Sequence, residues 1–328
     1  MPPEPILAVE RLRVEFPTRR GTLVAVHDVS FEIARGEVLG VVGESGAGKS
    51  ITGAAIIGLI DPPGRIAAGE IRLDGRRIDN LPPDRMRKVR GREIGAVFQD
   101  PLTSLNPLYT VGRQIVETIR THLPLGESEA RARAIALLEE VGIPAAERRI
   151  DHYPHQFSGG MRQRVVIALA LAAQPKLIIA DEPTTALDVS IQAQIIQVLK
   201  GLCRDHDTAV MLVTHDMGVI AETADRVAVM YAGRIVEVGP VADVIHRPRH
   251  PYTVGLMGSI PSIGATVERL AQIDGTMPRL DAVPDGCAFH PRCGRAIGRC
   301  RTGRPDLVAL GSTSAACWVA DAADGTAS

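Results

Sequence analysis

The chain has 328 residues, room for one large domain with an appended segment, and its 37 basic and 38 acidic residues give no indication of a nucleic-acid-binding surface. Its longest uninterrupted apolar run, residues 165–173, falls far short of the ~20 residues that a membrane helix requires, and the N-terminus lacks the basic start and apolar core of a signal peptide. We therefore expect a cytosolic protein that reaches a membrane only through partner subunits.

The first segment, residues 5–42, is rich in predicted strands, with turns at residues 18–21 and 35–36. Its last stretch, residues 38–42, is apolar and predicts a buried strand. Residues 43–50 then have the spacing G-x-x-x-x-G-K-S of a phosphate-binding P-loop. Small and apolar residues at 51–60 predict a helix directly after it.

This order of strand, glycine loop and helix favours a nucleotide site over a solvated glycine turn. Glycines let backbone N–H groups close around phosphate oxygens, and the helix N-terminus adds positive potential. Lys49 would reach the β- and γ-phosphates, and the Ser50 hydroxyl would ligate Mg²⁺. The sequence therefore predicts that this loop binds a nucleotide.

The middle of the chain, between Gln99 and Ser158, has a helical pattern. Apolar residues at positions 134, 137, 138 and 141 follow helical spacing, and Gly142 with Pro144 ends that helix. Ser158 is a candidate N-cap for a helix over 161–173, and two exposed glycines precede that helix. On its own, such a turn is more often structural than a ligand site.

Two further strands end in polar residues. The apolar run 177–180 suits the middle of a parallel sheet and ends at Asp181 and Glu182. Asp181 would hold Mg²⁺ through water, and Glu182 would polarise the water that attacks the γ-phosphate. A second strand, residues 209–213, ends near His215, a position at which a lone histidine is more often structural. An amphipathic helix is predicted between these strands, over residues 191–202.

Four of the five cysteines fall near the C-terminus, at Cys287, Cys293, Cys300 and Cys317. A cytosolic chain keeps its thiols reduced, so structural disulfides are not expected. Four thiolates can instead bind zinc or an iron–sulfur cluster, although the short knuckles typical of zinc ribbons are missing. Four free cysteines in a loop-rich tail is the alternative. Cys203, on a predicted helix, is expected in the core.

Taken together, these motifs resemble the ATP-binding cassette (ABC) family of transporter ATPases over residues 6–258. Gln99 matches the Q-loop of that family, residues 158–160 its signature motif, and Asp181 with Glu182 its Walker B pair. Residues 186–188 match the D-loop and His215 the switch histidine. The resemblance implies an α/β P-loop NTPase fold, an ABC nucleotide-binding domain over 1–258 with a helical subdomain inserted at about 100–160. A small cysteine-containing C-terminal extension would cover 259–328.

A narrower resemblance is to the ATPases of oligopeptide and dipeptide importers. It is carried by residues 153–164, 180–188, 250–253 and 286–293. Phe157 and Met161 depart from the general Leu-Ser-Gly-Gly-Gln signature in the direction that this subfamily takes. Because its extension can carry a [4Fe–4S] cluster, the resemblance favours that cluster over Zn²⁺ at the four cysteines.

The resemblance also implies roles for individual residues. Glu182, His215 and Gln99 would be catalytic, while Ser50, Gln99 and Asp181 would hold Mg²⁺. Phe16 would stack on adenine. The residues expected to bind ATP are Phe16, Gly43, Ser45, Gly46, Gly48, Lys49, Ser50, Ile51, Ser158, Gly159, Gly160 and Asp188.

The implied partners are a second ABC ATPase subunit, two transmembrane permease subunits and an extracytoplasmic solute-binding protein, with no nucleic acid. The chain would lie at the cytoplasmic face of the inner membrane as a peripheral subunit that couples ATP hydrolysis to peptide import. Nickel, opines or small glycosides are alternative solutes. Two other functions are alternatives as well: a soluble ABC ATPase acting on nucleic acid or ribosomes, and a regulatory module without hydrolysis, against which Glu182 and His215 argue.

Overall fold

The computed structural model describes residues 4–184, 189–259 and 272–320. Two compact units make up this part of the chain. The first unit takes in the described residues of Met1–Ala8, Glu32–Val38 and Arg72–Val213. The second takes in those of Val9–Phe31, Leu39–Ile71 and Thr214–Ser328.

Twelve strands and twelve α-helices are found within the described residues. The strands are β1 (Leu7–Thr18), β2 (Gly21–Ile33), β3 (Val38–Val42), β4 (Arg65–Leu73), β5 (Arg76–Arg77), β6 (Ile94–Val97), β7 (Leu177–Asp181), β8 (Ala209–Thr214), β9 (Arg226–Tyr231), β10 (Arg234–Pro240), β11 (Val308–Leu310) and β12 (Thr313–Ala315). The helices are α1 (Lys49–Ile56), α2 (Pro83–Val89), α3 (Pro101–Ser104), α4 (Val111–His122), α5 (Glu127–Glu140), α6 (Ala146–Arg149), α7 (Gly159–Leu171), α8 (Val189–Asp205), α9 (Met217–Thr223), α10 (Val241–His246), α11 (Pro251–Gly258) and α12 (Gly298–Thr302). None of the helices in these ranges combines the length and the apolar character needed to cross a membrane.

The first unit is built on three parallel strands in the order β6, β7, β8. Ile179 of β7 lies beside Ala96 of β6 and Met211 of β8. The four apolar residues of β7, from Leu177 to Ala180, are buried, as expected for a strand covered on both faces. The sequence prediction of a buried parallel strand here is confirmed.

Helices α2 to α8 complete the first unit. α7 contacts β6, α4, α5 and α8, and most of its apolar side chains are buried. The predicted apolar face at positions 134, 137, 138 and 141 is buried along α5 and just after it. α5 ends at Glu140, and Gly142 follows with a φ of 74°, a backbone conformation in which glycine is favoured. The helical character predicted between Gln99 and Ser158 is confirmed.

The second unit pairs β3 with β9 in parallel, and β9, β10, β12 and β11 then follow as antiparallel neighbours. A second sheet contains the strands β2, β1 and β4, which are neighbours in that order. Residues 272–320, called here the C-terminal segment, thus contribute β11 and β12 beside β10. These two short strands were not predicted from the sequence, because each has only three residues.

Two predicted helices had the wrong boundaries. The helix expected over 51–60 begins at Lys49 and ends at Ile56, because Gly58 adopts a left-handed φ of 64° that stops it. The helix expected over 161–173 begins two residues earlier, at Gly159, and ends at Leu171. Because Ser158 caps it, the two glycines lie in the first turn of α7 instead of the loop before it.

A buried polar pair ties β10 to the start of α11. Glu237 and His250 are 0% and 1% exposed. The Glu237 carboxylate accepts hydrogen bonds from the backbone N–H groups of Arg249 and His250, both at 2.8 Å. His250 Nδ1 accepts the N–H of Tyr252 at 3.0 Å and so caps α11. Burial lowers the pKa of His250 from its ordinary value of 6.5 to about 3, and burial raises the pKa of Glu237.

This depressed pKa makes stability depend on pH. The unfolded chain protonates this histidine near pH 6.5, whereas the folded chain keeps it neutral. The contribution of neutral, buried His250 to folding stability is therefore complete above that pH. It is lost progressively as the pH falls toward 3, at up to about 1.4 kcal/mol per pH unit. We expect His250→Asn, which keeps an acceptor for the Tyr252 N–H, to show a shallower decline in the free energy of unfolding below pH 6.5.

Urea unfolding at a series of pH values measures this slope. Glu237 and all other titrating groups are common to both proteins, so the difference isolates His250. His155→Asn, at an exposed position, is the control and should keep the wild-type slope. Equal slopes in the wild type and His250→Asn would contradict the prediction.

Candidate nucleotide-binding and catalytic site

The P-loop follows β3 in the second unit and packs tightly on neighbouring backbone. Gly43 has a φ of 153°, and a Cβ atom there would lie 2.3 Å from the Met230 carbonyl oxygen. A Cβ at Gly48 would lie 2.9 Å from the Ala25 carbonyl oxygen. The Gly233 N–H also donates to the Ala47 carbonyl at 2.9 Å. The loop therefore needs glycine at both positions, for close approach as well as for backbone conformation.

Lys49 begins α1 and lies inside the curve of the loop. It is 5% exposed, and its Nζ donates to the carbonyl oxygens of Gly43 at 2.7 Å and Glu44 at 3.1 Å. Ser50, the next residue, is exposed, as are Ser45 and Gly46, while Ile51 is half-buried. A preformed loop with an inward lysine at a helix N-terminus fits the phosphate groups of a nucleotide.

Phe16, predicted to stack on adenine, lies on β1 and is half-buried. A Cβ atom on Gly64 would lie 2.5 Å from its Cε1, so the ring packs against this glycine. The ring is therefore partly in contact with the second unit and partly accessible. Its adenine role stays a prediction.

The carboxylate pair lies in the first unit at the carboxyl end of β7. Asp181 is the last residue of the strand, and Glu182 follows with a φ of 47°, unusual for a residue other than glycine. The Glu182 N–H donates to the Val213 carbonyl at 2.8 Å, which holds this conformation in place. Gln99 Nε2 donates to Glu182 Oε2 at 3.2 Å. The structure thus brings together two of the predicted catalytic residues.

The signature turn, also in the first unit, begins α7. Ser158 Oγ accepts the N–H of Met161 at 3.4 Å, and both Ser158 and Gly159 are exposed. A Cβ atom on Gly160 would lie 2.7 Å from Ile191 Cγ2, so this glycine allows α8 to approach. The turn is therefore a capped helix start with accessible backbone.

The remaining predicted residues lie elsewhere. His215 follows β8, belongs to the second unit and is exposed. Its neighbour Asp216 caps α9, accepting the N–H groups of Gly218 at 2.8 Å and Val219 at 3.3 Å. Asp188 and the rest of the predicted D-loop lie outside the described residues.

The four tail cysteines lie in the C-terminal segment. Burial raises the pKa of Cys317, and the charges of Cys287, Cys293 and Cys300 raise it further. Burial likewise raises the pKa of Cys287, with smaller contributions from Cys300 and Cys293. The four cysteines therefore lie close enough together for their charges to affect the pKa values of Cys287 and Cys317. Within the described ranges, however, no group of three or more His, Cys, Asp or Glu side chains is arranged to hold a metal ion, so the metal predictions gain no support here.

Two residues that hold the P-loop were missed by sequence reasoning. Tyr252 and Arg292 both bond to Glu44, a variable position of the P-loop spacing. The available signal was that each lies in a segment, 250–253 or 286–293, that resembles the peptide importers. Nothing in the local pattern indicated that either reaches the P-loop.

Two family models match the chain. The ABC transporter model matches residues 26–185, and the model for the C-terminal region of oligopeptide/dipeptide transporters matches residues 236–300. Among solved structures, a dimeric post-hydrolysis state of the ATP-binding cassette MJ0796 bound to ADP and Pi is similar, with a TM-score of 0.64 and 30% identity. That likeness covers 72% of this chain and 98% of the other. Fold and P-loop thus define an ABC transporter ATPase.

Curated relatives narrow this class. The oligopeptide transport ATP-binding protein OppD of Bacillus subtilis is 52% identical over 294 residues, covering 89% of this chain and 82% of the relative. The dipeptide transport ATP-binding protein DppD of Escherichia coli is 48% identical over 302 residues, covering 92% of each. The chain belongs to the family of oligopeptide and dipeptide transport ATP-binding proteins.

Proposed function

We propose that the chain is the ATP-hydrolysing subunit of an importer that moves dipeptides or oligopeptides across the cytoplasmic membrane. The observation that carries the proposal is the combination, in one chain, of an ABC cassette and the C-terminal region of peptide transporters. Relatives named for oligopeptide and dipeptide transport extend over about nine-tenths of it. These comparisons do not support the alternative of an ATPase that acts on nucleic acid or ribosomes.

In this proposal the P-loop holds the ATP phosphates, with Lys49 as the cation at the β- and γ-phosphates. Ser50, Asp181 and Gln99 would hold Mg²⁺, which neutralises phosphate charge when bound. The exposed hydroxyl of Ser50 and the carboxylate of Asp181 are oxygen ligands of the kind that Mg²⁺ prefers. Gly43, Ser45, Gly46, Gly48 and Ile51 would form the rest of the phosphate cradle.

Glu182 would be the general base that polarises the attacking water, with His215 near the γ-phosphate. Supporting this role, Glu182 sits at a strand end in a strained backbone conformation, a feature that clusters at functional sites. The amide of Gln99 orients its carboxylate through the 3.2 Å hydrogen bond. Phosphoryl transfer depends on such positioning of charged groups rather than on covalent chemistry.

A second ATPase subunit would complete each site. Ser158, Gly159 and Gly160 would contact the ATP that is bound at the P-loop of the partner, and Asp188 would lie at the same interface. The accessible, capped N-terminus of α7 is suited to the γ-phosphate of the partner's nucleotide. The cassette MJ0796 was solved as a dimer with bound ADP and Pi.

Transmembrane permease subunits would dock beside Gln99, at residues 101–111. Two apolar side chains are exposed to water here, Phe98 just before this stretch at 46% and Leu108 within it at 78%. Covering them in a subunit interface is favourable. The chain would therefore be a peripheral subunit at the cytoplasmic face, with an extracytoplasmic solute-binding protein delivering the peptide. We place the boundary between ATPase domain and extension at residue 258.

We further infer that Cys287, Cys293, Cys300 and Cys317 ligate a [4Fe–4S] cluster, which would tie the loops of the C-terminal segment together. Such a cluster offers a separate iron to each cysteine, so its ligands need not converge on one point as the ligands of a zinc ion do. In support, the other three thiols contribute to the raised pKa of Cys317, and the Cys287 N–H donates to the Cys300 carbonyl at 2.9 Å.

Glu182→Gln should reduce ATP hydrolysis and peptide uptake by the assembled transporter about 10²–10⁴-fold, the usual loss for a general base. ATP binding should persist, because the amide keeps the size of the carboxylate, whereas Lys49→Ala should weaken binding itself. Glu139→Gln, an exposed carboxylate of α5, is the control. Hydrolysis at the native rate in Glu182→Gln would refute the assignment of the base, and no uptake of dipeptides or oligopeptides by the wild type would refute the substrate class.

Ser158→Arg tests whether the site is shared between subunits. In the isolated monomer, affinity for an ATP analogue should stay unchanged, because Ser158 serves the partner's nucleotide. In the assembled complex, the bulky cation should obstruct the interface and abolish turnover. Ser128→Arg, exposed at the start of α5, is the matched control and should leave both properties unchanged. A loss of affinity in the Ser158→Arg monomer would place Ser158 in the same site as Lys49.

Elemental analysis of anaerobically purified protein tests the cluster. We expect about four irons per chain, the content of one [4Fe–4S] cluster, and less in Cys293→Ser together with lower stability of the C-terminal segment. Cys203→Ala is the control and should keep the iron, because burial raises the pKa of this isolated thiol to about 12 and leaves it inert. One zinc without iron would replace the cluster by a zinc site, and no metal would leave four free thiols.

A further inference from the structure

Glu44, the second residue of the P-loop, is held by two groups from outside the loop. The hydroxyl of Tyr252 accepts its backbone N–H at 2.8 Å, and Nη1 of Arg292 donates to its two carboxylate oxygens at 3.0 and 3.1 Å. Tyr252 belongs to α11, and Arg292 lies in the C-terminal segment, immediately before Cys293. Both the main chain and the side chain of a P-loop residue are thus fixed by the C-terminal part of the second unit.

Arg292 is itself rigidly placed. Its side chain is 8% exposed, and its Nε donates to the Asp274 carbonyl at 2.8 Å. Its Nη2 donates to the carbonyls of Ile273 at 3.2 Å and Gly275 at 3.3 Å, and the guanidinium lies 5.9 Å from the ring centroid of Phe289. Five hydrogen bonds thus hold the guanidinium, three to carbonyl groups and two to the Glu44 carboxylate. This places it where it can position Glu44.

Glu44 in turn contacts the lysine that serves the nucleotide. Its carbonyl, with that of Gly43, accepts the hydrogen bonds of Lys49 Nζ at 3.1 and 2.7 Å. A shift of Glu44 would therefore move the acceptors that position Lys49. It would also reorient the loop N–H groups, on whose direction phosphate binding depends. Direct hydrogen bonds thus connect Arg292 to Glu44 and Glu44 to Lys49.

Tyr252 holds the backbone of Glu44, whereas Arg292 holds its side chain. Its ring is fully buried and packs edge-on against Tyr231 at 4.7 Å and obliquely against Phe289 at 5.4 Å between centroids. The hydroxyl that meets Glu44 is therefore as fixed as the guanidinium. Phe289 belongs to the C-terminal segment, so this segment supports both contacts with the P-loop.

We propose that Arg292, acting with Tyr252, is a positioning residue for the P-loop: it fixes Glu44, and through it Lys49 and the loop backbone, in the conformation that binds nucleotide. The affinity of the site for ATP then depends on the folded state of the C-terminal segment. By linkage, nucleotide bound at the P-loop stabilises the C-terminal segment by the same factor. This inference rests on ATP as the ligand of the P-loop, but not on which solute is transported.

A double-mutant cycle on the full chain tests whether Arg292 affects nucleotide binding through Glu44. Arg292→Gln should weaken the binding of a non-hydrolysable ATP analogue with Mg²⁺ about tenfold, as expected for lost hydrogen bonds to a charged group. In a Glu44→Ala background, the same substitution should have little further effect, because the side chain that accepts hydrogen bonds from Arg292 is already gone. Arg292→Lys should restore part of the affinity. Arg295→Gln, an exposed arginine three residues along the same segment, is the control and should bind as the wild type does.

Hydrogen–deuterium exchange supplies a readout that a merely structural arginine would not move. In the wild type, the nucleotide analogue should slow exchange at residues 286–300, and in Glu44→Ala this effect should become clearly smaller although Arg292 is still present, because only the contact of Tyr252 with the backbone N–H of residue 44 remains. The exchange experiment does not use an Arg292 variant, so it tests the proposal even if Arg292→Gln fails to fold.

Unchanged affinity in Arg292→Gln, equal losses in both backgrounds, or nucleotide protection that is undiminished in Glu44→Ala would overturn the proposal. Failure of the wild type to bind the analogue would instead overturn the ATPase assignment, so the two failures are distinguishable.

Discussion

The close approach of the P-loop to the backbone around it is the constraint on which the nucleotide site depends. With the Gly43 Cα close to the Met230 carbonyl and Gly48 close to that of Ala25, the loop has no room for a side chain at either position. Gly48 is also the N-cap of α1, so Lys49 is the first residue of that helix. Glycine residues allow many backbone conformations, so other groups must hold the loop in the one that is observed. The hydroxyl of Tyr252 and the guanidinium of Arg292 do so at Glu44.

The aromatic residues of the chain reflect the same arrangement. The whole sequence has only 5 Phe, 4 Tyr and 1 Trp, yet Tyr231, Tyr252 and Phe289 form one cluster with centroids 4.7 to 5.4 Å apart. Each large ring buries much apolar area and has few rotamers, so a cluster of three makes a rigid base. It lies at the end of β9, where the P-loop and the C-terminal segment both contact it.

Local patterns in the sequence predicted the parts of the structure that local physics controls. The bounds of β3 agree with the predicted strand 38–42, and the uninterrupted apolar run of β7 identified a buried parallel strand. Helix ends were less accurate, because a single glycine conformation, as at Gly58, decides them. The P-loop was recognisable because its glycines and lysine are contiguous.

Contacts between distant segments were not predictable in this way. Arg292 and Glu44 are 248 positions apart, and neither belongs to a periodic pattern, so their pairing depends entirely on the tertiary fold. The same holds for Gln99 and Glu182, 83 positions apart, whose hydrogen bond requires the parallel strands β6 and β7 to be in register. Resemblance to a family identified these two residues individually, but it did not provide their contact.

The backbone of Glu182 has one further consequence. Its φ of 47° is strained for any residue with a Cβ atom, by roughly 1–2 kcal/mol. Glycine would relieve that strain, yet glycine has no carboxylate for the chemistry proposed here. Folding stability and catalysis thus make opposite demands at one position, a trade-off that is common where an enzyme holds a reactive group in a fixed place. The Val213 carbonyl accepts the Glu182 N–H, and this hydrogen bond helps to hold glutamate in the strained conformation.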